Sequence, residues 1–303
     1  MNTTEYLSKW AISYKDDIIN NIMPFWMKYG LDREHGGVYT CVNRDGSLMD
    51  TTKSVWFQGR FGFIAAYAYN NIEKNPQWLA ASKSCIDFIE AHCFDTDGHM
   101  FFEVTEDGKP LRKRRYVFSE GFAAIAMAEY ALATGEKEYA KKALDIFKRT
   151  LHFLNTPGFL EPKYLPTLPS RGHSITMILI NTASRIRMVI DDPSLTEQID
   201  TSIAALRKYF IHPEFKALLE MVGPDGEFID TCNGRVINPG HCIETAWFIM
   251  EEAKYRNWDK DLLQLALQIL DWSWEWGWDK EFGGIINFRD GRNLPVQDYS
   301  QDM

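Results

Sequence analysis

The sequence is short of several features that would assign it to a common class. It has five cysteines among 303 residues and no CxxC pair, which argues against a disulfide framework and favours reduced thiols in the cytoplasm. It has 33 Lys and Arg against 42 Asp and Glu, a formal net charge of -9, so no nucleic-acid partner is expected. Its longest apolar stretches, such as FGFIAAYAY, fall well short of the roughly 18 residues that a membrane span needs.

Motifs for several kinds of chemistry are absent as well. The sequence contains no glycine-rich phosphate loop, no GxSxG nucleophile and no HExxH metal pair. Its first residues, MNTTEYLSKW, include no apolar signal segment. We therefore expect a cytoplasmic, acidic protein with no membrane partner and no metal site.

Asp-Gly pairs recur along the chain and indicate a repeat. They occur between short apolar runs at Asp45-Gly46, Asp107-Gly108, Asp225-Gly226 and Asp290-Gly291. This pattern is typical of hairpin turns, because Asp and Gly tolerate the positive φ that such turns require. The middle interval is close to twice the other two, which indicates a unit of about 60 residues.

Helical periodicity fills the stretches between these turns. The predicted helices cover residues 4–28, 54–72, 76–92, 117–134, 136–154, 171–190, 195–210, 239–256 and 259–276. Alternate helices are small and apolar, whereas their partners carry charge on one face, which suits an inner and an outer layer. We predict an all-α fold, an (α/α)6 barrel of helical hairpins with small β-hairpins at one end, as a single domain over residues 1–303.

The helix count falls short of a closed barrel. A ring of six hairpins needs twelve helices, and the pattern supplies about nine. The sequence stops at DYSQDM, where another inner helix is expected. We therefore expect the domain to be incomplete at its C-terminus, with three helices or roughly 90 residues missing.

The segment NPGHCIETAWF begins an inner helix, and the first turns of such helices converge on one pocket in a barrel. Asn238 is a good N-cap and Pro239 a good first residue, which places His241 in the first turn and Glu244 on the same face. The helix dipole favours a neutral imidazole there, as a proton-abstracting base requires at neutral pH. Glu244 could hold the other ring nitrogen or a substrate hydroxyl. The alternative is that His241 only caps its helix.

Two other polar residues lie on apolar inner helices. Arg60 occurs in SVWFQGRFGF, and Arg is rarely buried without a partner. It either forms a structural ion pair or, as we favour, binds an oxyanion on the pocket floor. His173, in PSRGHSITMIL, is either a pocket residue or a satisfied polar group of the core.

Aromatic rings and carboxylates gather near the same helix starts. Flat apolar rings beside polar groups suit a sugar, whose C–H faces stack while its hydroxyls form hydrogen bonds. Some of these rings must instead fill the core. The predicted substrate-binding residues are Trp56, Tyr116, Glu120, His173 and Trp247.

Four segments stand out together: NPGHCIETAWFIM, SVWFQGRFGFIAAY, VFSEGFAAIAMAEYALATGE and WDKEFGGIINFRDG. They resemble the N-acylglucosamine 2-epimerase family, which includes the renin-binding protein group, and the likeness runs from residue 8 to 294. The resemblance implies an (α/α)6 barrel that interconverts N-acetylglucosamine and N-acetylmannosamine by removing and returning the C2 proton with His bases. It also implies His241 as the first base, Arg60 beside the sugar carbonyl and Glu244 next to His241.

The resemblance carries further expectations. It implies an amino sugar as the partner, no required cofactor, ATP as an effector of some members, and a homodimer. In the family, a Trp-Trp-Pro segment bearing a Glu follows the last hairpin, and the second catalytic His lies further on. Neither is in this sequence.

Other functions remain open at this point. One is an aldose–ketose isomerase or a 2-epimerase of unacetylated sugars on the same fold. Another is a glycoside hydrolase that uses Glu120 and Glu244 as its two carboxylates, although the His and Arg between them favour proton abstraction. The last is a non-catalytic barrel that binds a sugar or a protein.

Overall fold

The computed structural model describes residues 2–113, 116–161 and 166–295. Its α-helices are α1 (Thr3–Asp17), α2 (Met23–Tyr29), α3 (Val55–Asn71), α4 (Pro76–His92), α5 (Phe118–Thr134), α6 (Lys137–Asn155), α7 (His173–Arg187), α8 (Pro193–Ala205), α9 (Pro239–Tyr255) and α10 (Lys260–Gly277). Its strands are β1 (Cys41–Val42), β2 (Leu48–Asp50), β3 (Lys53–Ser54), β4 (Phe101–Val104), β5 (Pro110–Lys113), β6 (Arg171–Gly172), β7 (Ile211–His212), β8 (Ala217–Leu218), β9 (Met221–Val222), β10 (Val236–Ile237) and β11 (Arg289–Asp290).

The predicted helices are confirmed, with two internal departures. The helix expected over 4–28 is divided by a π-helical segment, Ile18–Ile22, that joins α1 to α2. Pro24 in the first turn of α2 has no N–H to donate to the preceding turn, which accounts for the wider turn before it. The helix expected over 195–210 likewise ends in a π-helical segment, Leu206–Phe210.

The chain forms two compact units, Met1–Glu161 with Met188–Asp191 and Pro162–Arg187 with Asp192–Met303. In the first unit, α3 packs against α4 and α5, and α5 against α6. Gly59 lets α3 approach α5 closely, since a Cβ at this position would lie 2.6 Å from the backbone of Phe122. Helix α5 is buried along most of its length, as predicted for an inner helix.

In the second unit, α7 packs against α8 and α9, and α9 against α10. The strands form antiparallel pairs β6–β9, β7–β8 and β10–β11. Strand β6 leads directly into α7, and β10 is separated from α9 by one residue, Asn238. These short pairs therefore fix where the two helices begin.

The predicted turns at Asp45-Gly46, Asp107-Gly108 and Asp225-Gly226 are confirmed, Gly226 having φ of +92°, and the one at Asp290-Gly291 differs. Gly46 and Gly108 have φ of +88° and +87° in the turns of the β1–β2 and β4–β5 hairpins. Asp290 does not head a local hairpin, because β11 pairs with the distant β10. Its carboxylate instead accepts a hydrogen bond from Nε of Arg235 at 2.8 Å.

No helix in the described part of the chain combines the length and the apolar character needed to cross a bilayer.

Candidate active site

Three residues that are far apart in sequence meet in the second unit. His173 is the first residue of α7, His241 lies in the first turn of α9, and Glu220 lies between β8 and β9. The backbone N–H of His173 donates to the carbonyl of Glu220 at 3.0 Å, and the N–H of Glu220 donates to the carbonyl of Val236 at 3.2 Å. Glu220 is thus tied by its main chain to the start of α7 and to the strand that precedes α9.

The carboxylate of Glu220 orients the imidazole of His241. Nδ1 of His241 lies 3.1 Å from each carboxylate oxygen of Glu220, and Asn238 caps the helix by accepting the N–H of His241 at 3.1 Å. Because a carboxylate accepts hydrogen bonds, it favours the tautomer with its proton on Nδ1 and a lone pair on Nε2. This is the arrangement of a base held in place by a third group.

Glu220 is well suited to remain ionised. Burial works to raise the pKa of its carboxyl, but interactions with the neighbouring imidazoles, that of His241 first, outweigh it and hold that pKa well below its ordinary value. The amino-terminal ends of α7 and α9 also favour a negative charge beside them. The carboxylate can therefore stabilise an imidazolium when His241 takes up a proton.

His173 lies behind this pair, fully buried. Its Nε2 lies 2.9 Å from Oγ1 of Thr245, and that hydroxyl donates its own hydrogen to the carbonyl of His241 at 2.8 Å. While the hydroxyl donates to that carbonyl it accepts from His173, and the proton of a neutral His173 ring then sits on Nε2. Nδ1 faces Glu220 at 3.7 Å and has no hydrogen-bond partner among the described residues.

Two predicted roles change once these contacts are known. The carboxylate bonded to Nδ1 of His241 is Glu220, whereas the sequence offers Glu244 for either the His241 ring or a substrate hydroxyl. His173 is a buried neighbour of the site and not part of an open sugar-binding surface. Sequence reasoning missed Glu220 and Thr245. Glu220 lies between two-residue strands, where no periodicity marks its direction, and Thr245 reads as one more small residue of an inner helix.

The predicted site residues of the first unit differ in their exposure and in their ring contacts. Arg60 is exposed on α3, not buried, with its guanidinium 4.3 Å from the centre of the Phe122 ring. Trp56 is half-buried and makes edge contacts with three Phe rings. Tyr116 is half-buried beside Phe118.

Glu120 and Trp247 lie at opposite extremes of exposure. Glu120 is 1% exposed, and its Oε1 contacts Nδ1 of His99 at 2.5 Å and accepts the N–H of Met100 at 2.7 Å. Its carboxylate therefore secures the start of strand β4. The sequence predicts instead that Glu120 binds the substrate. Trp247, on α9, is 45% exposed and available to stack on a ligand.

Comparison with known proteins identifies one family whose profile matches most of the chain. Residues 37–302 match the profile of the family N-acylglucosamine 2-epimerase (GlcNAc 2-epimerase). The N-acylglucosamine 2-epimerase of Rattus norvegicus is 29% identical over 289 residues, which cover 92% of this chain and 68% of the relative. That of Homo sapiens is also 29% identical, over 92% of this chain and 67% of its own length.

Solved structures show the same fold. The cellobiose 2-epimerase from Bacillus thermoamylovorans superposes with a TM-score of 0.81 at 20% identity, over 93% of this chain and 76% of its own. A sugar epimerase from a ruminal bacterium gives 0.79 at 20% identity, over 94% and 76%. These likenesses confirm the predicted fold class, helical hairpins of the (α/α)6-barrel type with small β-hairpins.

Proposed function

Because the chain belongs to the N-acylglucosamine 2-epimerase family, we propose that it interconverts N-acetylglucosamine and N-acetylmannosamine. The observation that carries the proposal is the pairing of Nδ1 of His241 with both carboxylate oxygens of Glu220 at 3.1 Å. It provides a base whose Nε2 lone pair, in the tautomer that this pairing favours, is fixed in direction. Such a base is what removal of a proton next to a carbonyl requires.

The reaction follows from the chemistry of the open-chain sugar. Nε2 of His241 takes the C2 proton, and the C2–H electron pair forms a C1–C2 double bond while the C1 oxygen becomes an enolate oxygen. A proton returned to the opposite face of C2 restores the aldehyde with inverted configuration. Glu220 stabilises the imidazolium formed in between.

Two further residues have proposed roles. The family resemblance implies that Arg60 supplies positive charge to the C1 oxygen as the enolate develops, because a guanidinium is always protonated and donates in a fixed fork. Glu244 accepts a hydrogen bond from a substrate hydroxyl, since Glu220 already holds the His241 ring. The family resemblance implies that a second His returns the proton on the other face.

The pattern of relatives supports an acetylated amino sugar. Four N-acylglucosamine 2-epimerases match over 92–97% of the chain at 29% identity. The cellobiose 2-epimerases of Eubacterium cellulosolvens and Ruminococcus albus match over 50% and 46% of it, and that of Dictyoglomus turgidum matches over 85% at a lower identity of 22%. A 2-epimerase of unacetylated sugars is the competing assignment, and it shares the same base.

Proton NMR in D₂O tests the function directly. N-acetylmannosamine, N-acetylglucosamine, mannose and cellobiose are each incubated with the protein, with and without ATP. We expect loss of the C2 proton signal and appearance of the epimer with the two acetylated sugars. Turnover confined to mannose or cellobiose would contradict the substrate, and no exchange with any sugar would contradict the function.

Three further expectations from the sequence belong to the same proposal. We propose that the protein works in the cytoplasm as a homodimer, and that ATP acts on it as an effector and not as a reactant. Sedimentation velocity with and without ATP measures the assembly. A protein that sediments as a monomer under both conditions would contradict the dimer.

A further inference from the structure

The residues around His241 also have the composition and spacing of a metal site. One ligand atom from each of His173, Glu220 and His241 lies within 4.8 Å of the others. Two imidazoles and one carboxylate form the ligand set of many zinc sites, which leave a fourth position open. Tetrahedral zinc with bonds of roughly 2.1 Å requires ligand atoms about 3.4 Å apart. The Nδ1–carboxylate distances are 3.7 Å for His173 and 3.1 Å for His241.

His173 is prepared for such a role by its own contacts. In the tautomer in which Thr245 accepts the Nε2 proton, across 2.9 Å, the neutral ring presents the lone pair of Nδ1 toward Glu220. That nitrogen is fully buried and has no hydrogen-bond partner in the described part of the chain. A buried acceptor of this kind costs free energy unless something donates to it or coordinates with it.

We infer that His173, Glu220 and His241 bind a divalent cation of the Zn²⁺ class, and that the bound cation inhibits the enzyme. The nitrogen ligands favour zinc and its transition-metal neighbours over Mg²⁺ and Ca²⁺, which prefer oxygen. The inhibitory part rests on the proposed function, whereas the binding part does not.

The inhibition follows from the tautomer of His241. A cation on Nδ1 replaces the proton that this nitrogen now shares with Glu220. The proton of the neutral ring then sits on Nε2, which leaves that nitrogen without the lone pair that would accept the C2 proton. Because Glu220 also becomes a metal ligand, its charge is no longer available to stabilise an imidazolium.

Two measurements on the same protein test the inference. After dialysis against EDTA and its removal, Zn²⁺ binding is measured by isothermal titration calorimetry, and C2–H exchange of N-acetylmannosamine is followed by NMR. We expect one Zn²⁺ per chain, inhibition with the same concentration dependence as binding, and recovery of activity when EDTA is added. Mg²⁺ at the same concentration should leave activity unchanged.

Variants locate the site independently of activity. His173→Gln and Glu220→Gln should each weaken Zn²⁺ binding at least about tenfold, with circular dichroism showing that each is folded. His212→Gln is the matched control, because His212 also pairs with a carboxylate, at 2.8 Å from Glu214, yet belongs to no such three-residue group among the described residues. It should bind Zn²⁺ as the wild type does.

The outcomes separate the two claims. Wild-type affinity in both His173→Gln and Glu220→Gln, or no stoichiometric binding by the wild type, would overturn the metal site. Stoichiometric binding that leaves C2–H exchange unaffected would overturn the inhibition. Binding lost in the two variants, in a protein with no exchange even in EDTA, would leave the metal site in place and contradict the proposed function.

Discussion

A lysine cluster in the first unit and the histidine cluster in the second are both built around a carboxylate, and they differ in how completely it is bonded. Lys53 is fully buried, and Nζ donates to Asp32 at 2.7 Å and to the carbonyls of Gly36 and Glu106 at 2.8 Å each. All three ammonium protons are used. In the histidine cluster, Nδ1 of His173 lacks a partner among the described residues, and the side chains of His241 and Glu220 are 29% and 21% exposed.

The difference separates a structural charge from a functional one. A saturated, buried ion pair has no bonding capacity left for a ligand, and its role is to fix the turn at Asp32 beside strand β3. The histidine cluster keeps a carboxylate ionised and an imidazole oriented while part of it remains open to solvent. Incomplete bonding beside partial exposure is therefore the feature that marks the site.

Replacement of the base should have the largest effect. His241→Asn removes the group that accepts the C2 proton, and we expect epimerisation to fall by about 10³-fold or more, since general base catalysis contributes up to about 10⁴-fold. Epimer formation from N-acetylmannosamine is measured by NMR. His212→Asn is the control and should retain wild-type activity. Comparable losses in both variants would mean that the effect is structural.

Breaking the saturated cluster should affect stability and not chemistry. Lys53→Met leaves Asp32 buried without its partner, so we expect the free energy of unfolding to fall by about 3–5 kcal/mol. Urea denaturation followed by circular dichroism measures it. Activity per folded molecule should be unchanged. A Lys53→Met protein with wild-type stability but low activity would reverse the contrast between the two clusters.

Neutralising the orienting carboxylate should have an intermediate effect. Glu220→Gln keeps the size of the side chain but removes the charge that supports the imidazolium, and we expect kcat to fall about 10²-fold. The change should be mainly in kcat, because Glu220 acts through His241. Glu214→Gln, at the control pair with His212, should not change kcat. An altered KM with normal kcat would indicate that Glu220 binds the sugar.

The smallest predicted effect is on stability in acid. The pKa of Glu220 is lower in the folded chain than its ordinary value of 4.5. Its carboxylate therefore contributes fully above pH 4.5, and the contribution declines as the pH falls below that value. Between pH 4.5 and 2.5, the wild type should lose up to about 1.4 kcal/mol of unfolding free energy per pH unit more than Glu220→Gln. Parallel curves would contradict the low pKa.

The sequence predicts the helices well because their signals are local. Apolar periodicity and the Asn238 cap act within one or two turns, and the predicted ends lie within a few residues of those observed. Arg60 misleads for a related reason. Its apolar neighbours suggest burial, but Phe57 and Ile64 on the same face of α3 are themselves 45% and 49% exposed.

The partner of His241 could not be found in the same way. Glu220 reaches the two histidines through a main-chain hydrogen bond to α7 and another to β10, contacts that join segments tens of residues apart. No spacing rule connects them. Glu244, three residues from His241, is the choice that local geometry favours, and the tertiary structure supplies a different carboxylate.

A double-mutant cycle tests most directly whether His241 and Glu220 act as one unit. The rate of C2–H exchange of N-acetylmannosamine in D₂O is measured for the wild type, His241→Asn, Glu220→Gln and the double variant. If Glu220 acts only through His241, the double variant should exchange no more slowly than His241→Asn alone. If the two losses multiply, the residues act independently, and the account of Glu220 as the orienting group of the base is contradicted.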